Sequence, residues 1–164
     1  MITDAMRDRF GREVAKYPPD QKQSAVMACL AIVQQELGHV SQDSEKAVAE
    51  YLGMPPIAVH EVTTFYNMYN QQPVGRYKLN ICTNLPCQLR DGETALAHVC
   101  KRLGVEEGGT TSDGLVTVQK SECLGACADA PVMLVNDRQM VSFMSPDRVD
   151  ALIDTLATAA QPVK

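Results

Sequence analysis

Apolar positions fall at helical spacing over the first seventy residues, alternate with polar ones from residue 77, and return to helical spacing near the end of the chain. Val26, Leu30, Val33 and Leu37 recur every three to four residues, and Gly38 follows where a left-handed cap commonly ends a helix. A helix over about 20–37 is therefore expected. Ala47, Val48, Tyr51 and Leu52 predict a second helix ending near Gly53, and Val59, Val62 and Thr63, entered through Pro55 and Pro56, predict a third. The Asn, Gln, Pro and Gly of 67–75 predict a linker.

Beyond it the period changes. Tyr77, Leu79 and Ile81 alternate with Lys78 and Asn80, which predicts a strand running directly into Cys82. Leu96, Val99, Cys100 and Leu103 mark a helix from near Asp91 to Gly104, and a second strand over 115–121 delivers Cys123. The stretches 132–135 and 140–143 flank the turn-forming Asn136, Asp137 and Arg138 and read as a hairpin. A last helix has Ser145 as its cap, Pro146 at its first position, and Val149, Leu152, Ile153, Leu156 and Ala160 as its apolar stripe. The order strand, helix, strand, hairpin, helix predicts a small α/β sheet domain over 73–164, behind a helical segment over 1–72.

At 164 residues the chain can bury ~70% of its unfolded surface, so stability requires neither metal nor disulfide. A hydrophobic fraction of 45% with 21% charged residues is that of a folded globular chain. The net charge of -5, with Lys and Arg scattered among acids, leaves no basic stripe for phosphates and argues against nucleic acid. The longest apolar run, 25–33, is about half the ~18 residues that a membrane helix needs. No membrane insertion is expected. Residues 1–10 carry neither an apolar signal core nor an acid-free transit pattern, so a cytoplasmic, bacterial location is expected. Six cysteines in a reducing compartment point to metal or redox chemistry.

Their spacing narrows that choice. Cys82 and Cys87 have four residues between them, Cys123 and Cys127 three, and the two pairs are thirty-five apart. Each pair follows a predicted strand, so neighbouring strands would bring four sulfurs to one sheet edge. Metal cations would neutralise the thiolates, and a helix start after Cys87, together with Arg90, is expected to favour thiolate there. Zinc and iron both suit this donor set. A plant-type ferredoxin would need another Cys at position 90, which is Arg90, and a thioredoxin-type dithiol would need two intervening residues. Cys29 and Cys100 fall on apolar helix stripes and read as small core residues. His39, His60 and His98 lie apart without ligand spacing, and Met133, Met140 and Met144 read as strand core. There is no Gly-x-Gly-x-x-Gly or other phosphate cradle, so no nucleotide site is expected in this chain.

Three stretches carry a resemblance: LGMPPIAVHEVTTFY from Leu52 to Tyr66, ICTNLPC from Ile81 to Cys87, and ECLGACADAPVM from Glu122 to Met133. They closely resemble the 24 kDa subunit family of respiratory complex I, the enzyme that in bacteria is NADH-quinone oxidoreductase. The resemblance spans nearly the whole chain. It implies a thioredoxin-like [2Fe-2S] domain with a mixed sheet behind an N-terminal helical bundle, and one cluster per chain held by Cys82, Cys87, Cys123 and Cys127. It further implies an electron-carrying role beside an FMN-containing NADH-oxidising subunit in the peripheral arm of the complex, on the inner face of the bacterial plasma membrane. Gln88 and Ala128 stand where relatives often have a larger residue and a Gly. An equivalent subunit of an NAD-linked hydrogenase or formate dehydrogenase is the alternative assembly, and a structural-zinc interaction protein the alternative chemistry.

Overall fold

A computed structural model describes residues 2–159 and divides the chain into two compact units, Met1–Pro73 and Val74–Lys164. The first unit is helical: α1 (Asp4–Val14), a 3-10 segment (Pro19–Ala25), α2 (Val26–Leu37), α3 (Gln42–Leu52) and α4 (Pro56–Phe65). The hydroxyls of Thr3 and Ser41 accept the amides of Met6 and Ser44 and so cap α1 and α3, satisfying donors that the first helical turn leaves open. Sequence periodicity predicts one helix over 20–37, but the backbone breaks at Gln21 (φ -113°, ψ 29°) and the α-helix starts only at Val26. Two successive prolines, Pro18 and Pro19, hold the entry extended and then tighten it into the 3-10 form. Gly38, at φ 78°, ends α2 as expected.

Met6, Phe10, Leu30, Val33, Val48 and Val59 fill the core of this unit, with Cys29 fully buried among them. Across α3 and α4, the buried carboxylate of Glu45 accepts the Thr63 hydroxyl and lies 3.0 Å from His60 Nδ1. The expected linker is shorter than its composition suggests. Tyr69 is buried and its hydroxyl donates to the Met27 carbonyl at 2.9 Å, while the Asn70 amide donates to Gln34 Oε1 at 2.6 Å. Residues 67–70 thus belong to the helical unit.

The second unit contains β1 (Tyr77–Cys82), a single turn α5 (Leu85–Gln88), α6 (Gly92–Leu103), β2 (Val116–Ser121), β3 (Met133–Val135), β4 (Gln139–Val141) and α7 (Pro146–Ala159). The strands lie in the order β2-β1-β3-β4. β1 pairs parallel with β2, with Cys82 opposite Ser121, and antiparallel with β3, which makes the sheet mixed. A parallel neighbour needs a crossover, and α6 supplies it. Leu79, Ile81, Val116, Val118, Met133 and Val135 form one face of the sheet, covered by Ala95 and Val99 of α6 and by Val149, Ile153 and Leu156 of α7. Cys100 packs at the edge of this core. The α7 stripe agrees with its sequence pattern as far as Leu156; Ala160 lies outside the described residues.

The alternation read in β1 does not correspond to an exposed polar face. Lys78 and Asn80 are both only 2% accessible. Their polar atoms are drawn to Asp137 in the β3–β4 turn: Lys78 Nζ lies 2.7 Å from Oδ2, and Asn80 Nδ2 donates to Oδ1 at 2.6 Å. That turn has Asn136 and Asp137 at φ 52° and 55°, the left-handed pair that a tight hairpin requires and that short polar side chains tolerate. Met133 is buried on β3 as expected; Met144 is also buried, but beyond the end of β4 and in no strand, and Met140 is substantially exposed on β4.

Candidate metal centre

Because β1 and β2 run parallel and in register to their last residues, the chain leaves both at one edge of the sheet. The backbone ladder continues one step past them, with the Thr83 amide donating to the Ser121 carbonyl at 3.2 Å. The Cys82 loop and the Cys123 loop therefore start side by side. Cys82 is the last residue of β1, and its amide donates to the Val132 carbonyl at 3.1 Å, which ties in the approach to β3. Pro86 helps to turn the chain into α5, and this single turn carries Cys87 back beside Cys82.

The four thiols stand two and two. Cys82 and Cys87 are each 1% accessible, on a small apolar floor of Ala130 and Val132, and the Cys82 thiol is close enough to help raise that of Cys87. Cys123 and Cys127 are exposed, with sulfurs 3.5 Å apart. Two thiolates on one tetrahedral metal at ~2.3 Å would lie ~3.7 Å apart, so this separation already suits a shared metal. The pairs also sense each other: Cys127 acts on the charge of Cys87, and Cys82 acts on that of Cys127. Among the described residues no three His, Cys, Asp or Glu side chains are grouped to hold one metal ion. An all-sulfur donor set arranged as two facing pairs fits a two-metal sulfur cluster, in which each metal takes one pair.

Electrostatics differ between the pairs. Burial pushes the Cys87 thiol above its ordinary range, against the Val132 amide, which donates to its sulfur and lowers it. The sequence-based expectation that a helix start and Arg90 would favour thiolate at Cys87 is thus not met: the residue sits inside α5, not before a helix, and desolvation dominates. Cys123 is instead held low, first by the Gly125 amide and then by the Cys127 thiol, whereas Cys127 is raised by Cys123. Gly125, at φ 80°, provides the sharp bend that aims its amide back at Cys123.

Two features of the site escape a reading by spacing. A Cβ on Gly92 would come within 2.8 Å of the Cys87 carbonyl oxygen and 2.9 Å of that of Cys82, so the first turn of α6 can sit beneath both only as glycine. Asn84 and Glu122, one in each loop, are joined by a 2.7 Å hydrogen bond from Asn84 Nδ2 to Glu122 Oε2. The Asp91-Gly92 turn at the helix start is the one sequence signal for the former. Nothing local announces the latter, since its partners are 38 residues apart.

The remaining candidates stay outside the centre. Cys29 and Cys100 are drawn into the two cores, where burial raises both thiols, Cys29 to about 11. His60 turns to Glu45, and His98 lies 3.0 Å from Asp150. A cavity of roughly 500 Å³, lined by Arg102, Thr111, Asp113 and Ile153 among others, contains none of the cysteines. Among the described residues no helix is long and apolar enough to cross a membrane.

Comparison with known proteins places the chain in a family. The family profile of the thioredoxin-like [2Fe-2S] ferredoxins matches residues 10–157. A subunit of the NADH-quinone oxidoreductase of Rhizobium meliloti is 38% identical over 94% of this chain and 90% of its own length. NADH-quinone oxidoreductase subunit 2 of Thermus thermophilus is 38% identical over 92% of this chain and 83% of its own. Among solved structures, an NAD+-reducing [NiFe]-hydrogenase in the air-oxidized state has a similar fold, with a TM-score of 0.68 at 21% identity over 84% of this chain. This chain spans only 23% of that hydrogenase chain.

Proposed function

Because this chain belongs to the thioredoxin-like [2Fe-2S] ferredoxin family, we propose that Cys82, Cys87, Cys123 and Cys127 hold one [2Fe-2S] cluster and that the chain is an electron-carrying subunit of an NADH-quinone oxidoreductase. The observation that carries this reading is the meeting of two thiol pairs at the ends of the parallel strands β1 and β2. When bound, such a cluster supplies one-electron transfer at a potential set by its charge, its hydrogen bonds and its exposure.

The protein residues do the rest. Cys82 and Cys87, sunk on Ala130 and Val132, give the site a dry wall, while Cys123 and Cys127 form the wall open to solvent and to a partner. Amides of Val132 and Gly125 donate to the sulfurs of Cys87 and Cys123, which stabilises negative charge on them. The partner in this reading is the FMN-containing NADH-oxidising subunit, which exchanges single electrons through the open wall, in a peripheral arm at the cytoplasmic face. The relatives' names support the respiratory assembly, and the hydrogenase likeness, at 21% identity, is one of fold.

The test is the full chain purified without oxygen. Iron and acid-labile sulfide in equal amounts, visible absorption, and an electron-spin signal on reduction are the expected results. A colourless, zinc-loaded protein would refute the cluster. Co-purification of the native chain with an FMN-bearing, NADH-oxidising polypeptide tests the partner.

A further inference from the structure

The side-chain bridge between the two ligand loops has a charge at one end. Asn84 lies between Cys82 and Cys87, Glu122 immediately precedes Cys123, and their 2.7 Å hydrogen bond links the two loops across the mouth of the centre. Asn84 is half-buried and Glu122 exposed, so the inner residue anchors the outer one. Glu122 is joined directly to Cys123 in the chain, so the carboxylate that Asn84 holds lies beside the first thiol of the second loop. We propose that Glu122 is a positioning residue that sets the reduction potential of the centre, its carboxylate held beside the Cys123 loop by Asn84. The inference rests on the cluster reading above.

The argument is electrostatic. Adding one electron to a centre already carrying four thiolates places new negative charge next to a fixed carboxylate, which costs Coulomb energy and lowers the potential. A freely rotating glutamate would spend much of its time pointing into water, where its effect is weak. The Asn84 amide removes that freedom, because its donor group meets the carboxylate oxygen on the side facing the first loop. Replacing the carboxylate by an amide of the same shape removes the charge and keeps an oxygen for Asn84 to bond. Replacing Asn84 keeps the charge and removes its anchor.

The experiment is a reductive titration, followed by electron-spin signal, of the full chain with its cluster, as wild type, Glu122→Gln and Asn84→Ala. Glu122→Gln is expected to keep full iron and sulfide content and to favour the reduced form at least threefold, a rise of about 28 mV at 59 mV per tenfold for one electron. Asn84→Ala should raise the potential by less. The Glu122→Gln shift should also shrink at 1 M salt, as a partly exposed charge is screened. An unchanged potential in Glu122→Gln overturns the inference, and so does an equal or larger shift in Asn84→Ala. Loss of the cluster from Glu122→Gln would make the bridge a purely structural tie and overturn it too. A wild-type chain without iron and sulfide would instead refute the cluster reading itself.

Discussion

Lys78, near the start of the central strand β1, places its ammonium nitrogen 2.7 Å from Asp137 Oδ2 in the hairpin turn, with the lysine side chain 2% accessible. The same carboxylate accepts Asn80 through its other oxygen, so one turn residue satisfies two polar groups of the strand that leads to Cys82. Removing one member of a buried pair typically costs ~3–5 kcal/mol, and the partial exposure of Asp137 places this case near or below the lower end. Asp137→Asn keeps a residue that tolerates φ 55° and deletes only the charge. It is expected to lower the urea midpoint with an unchanged m-value; an unaltered midpoint would show that the pair contributes nothing.

Ligand substitutions should divide the six cysteines into two groups. Alanine at Cys82, Cys87, Cys123 or Cys127 removes the native absorption and spin signals. Alanine at Cys29 or Cys100 keeps both, at a packing cost of roughly 1 kcal/mol or more. Retention of the cluster by Cys87→Ala together with its loss from Cys100→Ala would reverse the assignment.

Gly92→Ala tests the support beneath the ligands. Its Cβ would press on the backbone oxygens of Cys82 and Cys87 at 2.9 and 2.8 Å, atoms that cannot swing aside as a side chain can. Lower iron content and a lower melting temperature are expected together. A fully loaded variant of native stability would show that α6 can move away without disturbing the loops.

Alkaline stability should depend on Cys29. Burial raises its thiol from 9.0 to about 11 in the folded chain. A folded pKa above the unfolded one means that the protonated group contributes in full below pH 9, and that the contribution fades as pH rises towards 11, because the unfolded chain loses its proton first. Two pH units correspond to about 2–3 kcal/mol at most. Denaturant unfolding between pH 9 and 11 should therefore show a steeper loss for wild type than for Cys29→Ala. Parallel pH curves would remove Cys29 as the cause.

The elements that can be read from sequence are those whose signal is local. The caps at Gly38 and Gly53, the Asn136-Asp137 turn and the Ser145-Pro146 start each act within a few residues, and each appears where the chain predicts it. The cysteine pairs are legible because each closes within one loop. What the pattern misplaces depends on distant neighbours. The alternation of Lys78 and Asn80 marks a strand but does not tell that both are buried, because their partner Asp137 lies 59 and 57 positions on and meets them only across the sheet. The behaviour of Cys87 depends on a floor built from Ala130 and Val132, and the Asn84–Glu122 bridge exists only because two strands end together. The 3-10 segment at 19–25 is hidden for a different reason: apolar spacing is blind to the Pro18-Pro19 constraint on the backbone.

The parallel registration of β1 with β2 also imposes an order on biogenesis. Cys82 and Cys87 leave the ribosome well before Cys123 and Cys127, and the second loop reaches the first only after α6 has crossed over and β2 has docked along β1. Iron and sulfide delivered earlier would meet half a binding site. In the proposed cluster reading the full set of four thiols exists only once the crossover has closed, so the colour of the loaded protein doubles as a report that its two central strands have found each other.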